Sequence, residues 1–437
     1  MTHSKSLANF KIAELNPMQK ATVDAFSQAG DLVLISPTGS GKTLAFLLPL
    51  LDLLDPKRKD VQAVIIVPTR ELAQQIEQVF KQMATGFKIS CCYGGHSVQT
   101  ERNNLTESPA VLVGTPGRLS HHVRKKNLDI NSTSFLILDE FDKSLESGFQ
   151  DEMSFLLKNM GGLKKRVLTS ATPIQEIPSF VDIQNPVELN FAGEDKPKES
   201  GLQLKSVQVA GDDKLEALIL LIGKIKAQSL LVFCNHRDAV SRISEQLSRL
   251  KIEHGFYHGG LEQIDREKTL IKLRNGSIQL LISTDLAARG LDIPEIDAVI
   301  HYQLPTTEDV MIHRNGRTAR MNARGTAYFL LEKDDYLPPF LKTLPEEESL
   351  PSKLTLPPPS PWKTLYISAG KKDKVNKMDI VGMLLQKGGL TKEELGKIEV
   401  LDHSSYVAIK STKIQQTLQL IREERIKNKK VKLEIST

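Results

Sequence analysis

Cysteine is scarce in this sequence, and the pattern of the few that occur disfavours two classes of protein. The three cysteines are Cys91, Cys92 and Cys234, and no two of them form a Cys-x-x-Cys motif. Adjacent cysteines are poorly placed to pair with each other. We therefore expect neither a disulfide framework nor a cysteine-based zinc site, and we expect a reducing compartment.

Long apolar runs are also missing. The first residues, MTHSKSLANF, lack the apolar core of a secretory signal. No run approaches the ~20 apolar residues that a membrane-spanning helix requires. We therefore expect a cytoplasmic protein without membrane contact, and we take it to be a monomer.

Charge is unevenly distributed along the 437 residues, a length that suggests two to four domains. From Trp362 to Thr437 there are 16 Lys and Arg against 9 Asp and Glu, a net charge of +7. The whole chain carries +5, so the preceding 361 residues carry −2. A local basic excess suggests a polyanionic partner such as nucleic acid, with a solvated basic surface as the alternative.

Short β-branched segments alternate with helical patterns, which is typical of parallel sheets covered by helices on both faces. One helical pattern spans residues 70–84. A polar linker at residues 193–201 separates two such series, so we predict two α/β domains in tandem. The predicted strands are 32–36, 63–67, 111–114, 135–138 and 167–169 in the first series, and 230–234, 279–283, 298–302 and 326–331 in the second.

A third unit follows a proline-rich segment, residues 345–361, which predicts a stiff, extended spacer. The order of elements beyond it is βαββαβ, which is typical of ferredoxin-like domains, including RNA-recognition modules. The predicted strands are 364–369, 397–401, 406–410 and 431–435, and the predicted helices are 379–387 and 412–422.

A phosphate-binding loop is predicted at residues 36–43 (SPTGSGKT), between an apolar strand and a helix. Gly39 and Gly41 let backbone amides approach phosphate oxygens, and the helix N-terminus favours the negative charge. Lys42 can reach the β- and γ-phosphates, and the Thr43 hydroxyl can bind Mg²⁺. Thr38 and Ser40 complete the nucleotide-binding loop. A chance glycine-rich turn is the alternative.

Carboxylates follow the apolar strand at residues 135–138. Asp139 stands where a P-loop enzyme holds Mg²⁺, and Glu140 is placed to orient or deprotonate the attacking water. An acidic loop without function is the alternative. We therefore expect ATP and Mg²⁺ as cofactors.

Basic residues are concentrated at residues 313–320 (HRNGRTAR) in the second series. Arg317 and Arg320 are three apart, so they share one face of a helix. They are candidate arginine fingers that meet the charge developing on the transferring phosphoryl group, with ATP in a cleft between the two domains. A basic surface helix paired with carboxylates is the alternative.

These motifs, taken in order, resemble the DEAD-box RNA helicases of helicase superfamily 2. The resemblance runs from Ile12 to about Leu331 and implies two tandem RecA-like domains, over residues 1–197 and 203–344, followed by the linker 345–361 and an RRM-like domain at 362–437. It also covers residues 232–235, 263–266, 283–285 and 288–292 of the second series.

The resemblance also implies roles for individual residues. Gln19 would read the adenine edge and Ile12 would pack on its face, while Asp292 would contact the ATP ribose. The residues implied to couple hydrolysis to unwinding are Ser170, Thr172, Asp142 and His313. The residues implied to contact RNA in the two helicase domains are Pro68, Thr69, Arg70, Gly95, Thr115, Arg118 and Thr284.

Several positions depart from the family pattern. Phe141 replaces the alanine of the DEAD sequence, which could alter the coupling between hydrolysis and unwinding. Asn315 and Ala319 alter the usual HRIGRTGR. The aromatic residue usually found upstream of the Gln19 motif is missing, so adenine selectivity could be looser.

The C-terminal unit resembles the RNA-binding domain of the DbpA-like helicases, which act on large-subunit ribosomal RNA. The resemblance rests on residues 364–374, 396–400 and 405–409. Lys371 and Lys372, with Lys374, Lys429, Lys430 and Lys432, would supply phosphate-binding charge. Tyr366 and Tyr406 would stack on bases, unless they are half-buried strand residues.

We therefore expect an ATP-dependent RNA helicase that unwinds structured ribosomal RNA during large-subunit assembly. Its partner would be RNA, read by the helicase domains through phosphates and 2′-hydroxyls. Two alternatives stay open: an ATP-binding RNA clamp with little turnover, to which only Phe141 points, and a DNA helicase, which the Gln19 motif and the DEFD sequence disfavour.

Overall fold

The structure is a computed structural model that describes residues 7–436 except 11, 29, 38, 96, 147, 175, 192–200, 210–212, 226–228, 289–292, 295, 320–323, 334, 336, 342 and 428. The described residues form two compact units, one up to Phe191 and the other from Gly201 onward. The predicted linker at 193–201 lies outside the described residues except for Gly201.

The first unit is an α/β domain with a seven-stranded parallel sheet in the order β3-β4-β2-β5-β6-β1-β7. Its strands are β1 Leu32–Ile35, β2 Ala63–Ile66, β3 Ile89–Cys92, β4 Val111–Gly114, β5 Phe135–Leu138, β6 Lys165–Ser170 and β7 Val187–Asn190. Its helices are α1 Pro17–Phe26, α2 Lys42–Leu53, α3 Arg70–Gln82, α4 Val98–Leu105, α5 Pro116–Arg124, α6 Phe141–Glu146 and α7 Gln150–Lys158.

Successive residues of the central strands enter two different cores. On β2, Ile65 packs with Phe46 of α2, whereas Val64 and Ile66 pack on the opposite face with Leu156 of α7. All four residues of β2 are buried. A strand covered on both faces needs apolar residues at every position, which explains why the near-continuous apolar runs predicted a parallel sheet.

The second unit contains another parallel sheet, in the order β10-β11-β9-β12-β13-β8-β14. Its strands are β8 Leu202–Gln208, β9 Leu230–Phe233, β10 Gly255–Tyr257, β11 Leu280–Ser283, β12 Ala298–His301, β13 Gly325–Leu331 and β14 Glu346–Glu347. Its helices are α8 Lys214–Ile225, α9 Arg237–Arg249, α10 Gln263–Arg274 and α11 Glu308–Asn315.

The proline-rich segment packs on the second helicase domain, although its composition predicts a stiff, extended spacer. Its first residues form β14, which pairs with β8, and Glu348 forms ion pairs with Lys205 and Lys224. Farther along, the carbonyl oxygen of Thr355 lies so close to Gly223 of α8 that a Cβ there would be 1.9 Å from it. The segment is therefore a strap packed on the second helicase domain.

The third domain belongs to the same unit and has the βαββαβ order expected from the sequence, with an antiparallel sheet in the order β16-β17-β15-β20. Leu365 and Ile367 of β15 pack with Val407 and Ile409 of β17 on the face that the helices cover. Its elements are β15 Trp362–Ile367, α12 Lys377–Gln386, β16 Leu395–Val400, β17 Ser405–Lys410, α13 Ile414–Ile421, β18 Arg425–Ile426, β19 Lys429–Lys430 and β20 Leu433–Ile435.

These three sheets confirm the predicted fold class of two RecA-like parallel-sheet domains followed by a small α+β domain. The prediction did not include the shorter or more polar strands β3, β7, β8, β10, β14, β18 and β19. Among the described residues, no helix combines the length and the hydrophobicity needed to cross a membrane.

Candidate nucleotide and RNA sites

The predicted phosphate loop lies between β1 and α2, as its sequence context required. Gly39 has a φ of +83° and Gly41 a φ of +93°, in the left-handed region that favours glycine. A Cβ on Gly41 would also lie 2.5 Å from Nε2 of Gln19. Both glycines are therefore required by the backbone that would receive the phosphates. Thr38 lies outside the described residues.

Lys42 begins α2, and its ammonium group donates to the carbonyl oxygens of Ser36 and Pro37 in the same loop. The lysine thus lies over the loop, where a phosphate group would replace these carbonyls as its partner. The Ser36 hydroxyl donates to that of Ser40 at 2.8 Å, so serine at the position of the first glycine adds a bond that closes the loop.

Asp139 is a buried carboxylate at the end of β5. The Thr169 hydroxyl and the backbone amide of Glu140 donate to its Oδ1. Burial raises the pKa of the Asp139 carboxyl, while the Thr169 bond and the charge of Lys42 act in the opposite direction. A buried carboxylate of this kind is stabilised by a cation.

Mg²⁺ prefers oxygen ligands, and two such ligands lie beside the phosphate loop. Asp139 supplies one such carboxylate, and Thr43 supplies a hydroxyl in the first turn of α2. Glu140 is nearly fully buried beside Asp139 and has a φ of +49°, an unfavourable backbone conformation for glutamate. The residues present therefore fit a magnesium–nucleotide site, and strain of this kind is typical of functional positions.

The Gln19 segment contacts the phosphate loop through a residue that the sequence reasoning did not select. Asn16 caps α1 by accepting from the Gln19 amide, and its Nδ2 donates to the Ser40 carbonyl at 2.9 Å. Gln19 Nε2 donates to the Gly41 carbonyl at 3.3 Å. The capping-box pattern Asn-Pro-Met-Gln was the readable signal for Asn16. Ile12 is partly buried against the core of this domain.

Three of the four residues expected to couple hydrolysis to unwinding, namely Ser170, Thr172 and Asp142, are close together in the first unit. The Thr172 hydroxyl donates to Asp142 Oδ2 at 3.4 Å, and the Ser170 hydroxyl donates to the Thr172 carbonyl at 2.6 Å. Phe141, the departure from the family pattern, is fully buried in the core beneath this segment. The Phe141 ring therefore contributes to the hydrophobic core of the first unit.

The sheet order separates two groups of predicted residues at its carboxyl edge. The nucleotide-site residues follow β1, β5 and β6, which are neighbours in the sheet. The predicted RNA contacts follow β2, β3 and β4, which are neighbours on the other side of β5. Ligands bind outside the carboxyl ends of parallel strands, so one edge accommodates two adjacent sites. The RNA group comprises Pro68, Thr69, Arg70, Gly95, Thr115 and Arg118.

In the second unit, the arginine-rich segment begins in α11. Arg314 is fully buried and donates to Asp285, to the Gln303 carbonyl at 2.9 Å and to Asn235 at 2.7 Å. Arg314 therefore binds three loops at the carboxyl edge of this sheet. The sequence reasoning did not assign it this structural role.

The candidate finger Arg317 lies in the turn after α11, because the helix ends at Asn315, so the prediction that it lies on a helical face was wrong. Arg317 is also buried, and its Nε donates to the Ala288 carbonyl at 2.8 Å. His313 is buried within α11, and Thr284 follows β11 at the same sheet edge. Arg320 and Asp292 lie outside the described residues.

Tyr406 is placed differently from its expected role. It lies opposite Tyr366 on the sheet face that the third domain's helices do not cover, with ring centroids 5.4 Å apart. Tyr406 is only 3% exposed, so a base cannot stack on its ring in this arrangement. The expectation that Tyr406 contacts RNA is therefore disfavoured while this face stays covered.

The covered face lies against the second helicase domain. Arg274, at the end of α10, donates twice to Glu399, at 2.9 and 2.7 Å. Thr364 on β15 accepts from Asn275 at 2.9 Å and donates to Ser277 at 2.7 Å. The basic residues Lys371 and Lys372 lie instead on an exposed turn after β15.

Two parallel sheets of this order, with a phosphate loop after β1 and carboxylates after β5, define a P-loop ATPase with tandem RecA-like domains. Family models match three parts of the chain: the DEAD/DEAH box helicase model at residues 16–180, the helicase conserved C-terminal domain at 213–322 and the DbpA RNA binding domain at 364–435.

The chain belongs to the DEAD-box ATP-dependent RNA helicases, in the DbpA-like subgroup. It is 28% identical to the ATP-dependent RNA helicase DbpA of Bacillus subtilis over 98% of this chain and 96% of that protein. Identity to the Escherichia coli DbpA is 29%, over 95% and 93% of the two chains. The solved structure of S. cerevisiae Dbp5 bound to RNA and ADP BeF3 has a TM-score of 0.71 at 24% identity, over 79% of this chain and 93% of that one, which supports the fold.

Proposed function

We propose that this helicase remodels structured ribosomal RNA during assembly of the large ribosomal subunit, and that its third domain selects the RNA. The observation that carries the proposal is the match of residues 364–435 to the DbpA RNA binding domain, together with the similarity to DbpA helicases over nearly the whole chain. Similarity to relatives that match only the two helicase domains would not support this proposal.

We place the RNA contact of the third domain on the turn at Lys371 and Lys372 rather than on the sheet. The backbone amides of these two lysines donate to Leu401 and Asp402 carbonyls, which leaves their ammonium groups as the exposed donors. Neither lysine forms an ion pair within the part of the chain that is described. An ammonium group without an ion pair can bind phosphate without first breaking a bond to a carboxylate.

Three lysines expected to bind phosphate start from ion pairs. Lys429 pairs with Asp373 at 2.9 Å and Lys430 with Glu423 at 2.9 Å. Lys432 pairs with Glu434 at 2.7 Å. Exposed pairs of this kind contribute about 0–1 kcal/mol, so RNA phosphates can replace the carboxylates. These lysines therefore form a secondary part of the proposed surface.

In the proposed hydrolysis, the phosphate loop and Lys42 hold the nucleotide, and Glu140 orients the attacking water. A bound Mg²⁺, held by Thr43 and Asp139, would supply charge neutralisation at the phosphates. Arg317 and Arg320 would stabilise charge as it develops in the transition state. The alternative of a clamp with little turnover rests on Phe141 alone, and its packing in the core leaves Asp139 and Glu140 in place.

Two measurements test the proposal. Steady-state ATP hydrolysis with and without RNA separates an enzyme from a clamp. Crosslinking and sequencing of RNA bound in cells tests the target, with the full chain compared to a chain cut after Pro359. That cut preserves β14 and the Glu348 ion pairs, whereas a cut after Pro345 would remove them. Equal recovery of large-subunit ribosomal RNA by the two chains would exclude the third domain as the selecting module.

A further inference from the structure

A buried carboxylate links the predicted RNA-contacting loops of the first unit. Glu101 on α4 is 5% exposed and accepts from Arg118 Nε at 2.7 Å and from the His122 ring at 2.7 Å, both at its Oε2. Its Oε1 accepts from the backbone amide of Tyr93 at 3.1 Å. Gln74 of α3 in turn donates to the Tyr93 hydroxyl at 2.6 Å.

The direct partners of Glu101 come from two of the RNA segments, and the third segment is reached through Tyr93. Arg118 is in the segment after β4, and Tyr93 immediately precedes the Gly94-Gly95 pair after β3. Gln74 is in α3, whose first residue Arg70 lies against Gly94: a Cβ on Gly94 would be 3.2 Å from an Arg70 guanidinium nitrogen. One carboxylate thus bonds directly to the segments after β3 and β4, and Tyr93 connects it to α3, which follows β2.

The same cluster also contains three potential metal ligands, because Cys92, Glu101 and His122 have ligand atoms within 4.8 Å of one another. The hydrogen bonds argue for a different role. Both oxygens of Glu101 already accept from protein donors, and a metal ion would have to displace the Arg118 guanidinium. Burial also raises the pKa of the Cys92 thiol, which disfavours the thiolate that a metal requires.

We propose that Glu101 is a positioning residue for RNA binding, with His122 supporting its orientation. Glu101 holds the Arg118 guanidinium and the Tyr93 backbone in the conformation that receives the RNA backbone. The arginine guanidinium has five N–H donors in a fixed plane, so a bond from Nε sets the direction of the other four. This inference rests on the proposed RNA contacts of Arg118 and Gly95.

The test is RNA-stimulated ATP hydrolysis titrated with single-stranded RNA. Glu101→Ala removes bonds to a charged group, so we expect the half-saturating RNA concentration to rise about tenfold. The turnover at saturating RNA and the affinity for a fluorescent ATP analogue should stay near those of the unmodified protein. Glu101→Gln retains an acceptor for Arg118 and should restore most of the RNA affinity. Glu107→Ala, which removes an exposed glutamate of the same domain, is the matched control.

A double-mutant cycle with Arg118→Ala distinguishes positioning from a general loss of stability. If Glu101 acts through Arg118, Glu101→Ala should add little to the defect of Arg118→Ala. Additive defects, or a parallel loss of ATP affinity, would overturn the proposal, as would stoichiometric zinc in the purified protein. If Arg118→Ala alone leaves the RNA titration unchanged, the proposed RNA contact fails, and the positioning role fails with it.

Discussion

The contact between the third domain and the second helicase domain depends strongly on one ion pair, Arg274 with Glu399. We predict that Glu399→Arg releases the third domain while the strap keeps it attached. The pair is bidentate, with distances of 2.9 and 2.7 Å, and each side chain is less than a fifth exposed. A second pair, Lys363 with Glu253, is about one-third exposed on both sides and contributes less.

The expected magnitude follows from this burial. Fully exposed pairs contribute about 0–1 kcal/mol, whereas loss of one partner of a buried pair costs about 3–5 kcal/mol. Two charge-assisted bonds at intermediate exposure lie between these limits, at about 2 kcal/mol. Since 1.4 kcal/mol is a factor of ten, the docking equilibrium should fall about thirtyfold. The double exchange Arg274→Glu with Glu399→Arg should recover part of this loss.

The chain supplies its own probe of docking, because Trp362 is its one tryptophan. The indole ring lies beside Gly276 of the second helicase domain, where a Cβ would be 3.6 Å from it. Release of the domain should make Trp362 more accessible to acrylamide quenching. Glu423→Arg, which reverses an exposed charge of the same domain, is the control. An unchanged quenching constant in Glu399→Arg would refute the reasoning.

Because of the same ion pair, we expect docking of the third domain to weaken as the pH falls. Burial acts to raise the pKa of Glu399, but the bonds and charge of Arg274 outweigh it, so the pKa is lowered overall. A carboxyl with a lowered pKa stabilises the docked state above its ordinary pKa, and this contribution is lost as pH falls through the lowered value. Trp362 quenching should therefore rise as the pH falls below the ordinary pKa of a glutamate carboxyl, and this rise should be smaller in Glu399→Gln.

Further predictions concern the helicase domains. Lys42→Ala and Glu140→Gln should each abolish RNA-stimulated ATP hydrolysis, and Glu140→Gln should still bind the fluorescent ATP analogue; near-normal turnover in either would contradict the site. Arg317→Ala should lower kcat much more than ATP affinity, because the charge it meets develops in the transition state; equal losses would assign it to ground-state binding. Ala319→Gly should raise the stability by up to about 1 kcal/mol in a denaturant titration, because Ala319 has a φ of +50°.

The departures from the family pattern show where the sequence alone was insufficient. Asn315 looked like an isolated change, yet its amide oxygen bonds to the His301 ring at 2.9 Å inside the core. His301 is fully buried, and burial lowers its pKa to about 3, so the ring is neutral and suited to this bond. His301 lies on β12 and Asn315 on α11, 14 positions apart in the sequence. A contact between a strand and a helix cannot be predicted from the periodicity of either one.

The fold and the phosphate loop were readable because each depends on local signals. Apolar strands, glycines at positive φ and the order of the motifs all lie in short segments. The burial of Tyr406 was not readable, because the tyrosine's own strand has the pattern of a half-exposed sheet. Glu399, the residue opposite Tyr406 in the sheet, is bound by Arg274 at the end of α10, more than 120 residues earlier in the chain. The contacts of the strap with the second helicase domain could not be predicted either. Proline content predicts a stiff segment, but it does not predict what the segment packs on.

The order of strands in the first sheet gives a physical reason for one domain to serve two ligands. The nucleotide half, β5-β6-β1, and the RNA half, β3-β4-β2, meet where β2 pairs with β5. Asp142 follows β5 at that boundary and accepts from Thr172, which follows β6. This bond joins the segments after β5 and β6, and β5 is the strand that adjoins the proposed RNA half. Glu101 lies beyond the boundary and fixes loops of the RNA half to one another. We therefore expect the proposed RNA contacts after β3 and β4 to depend on one another, because both segments bond to the same carboxylate.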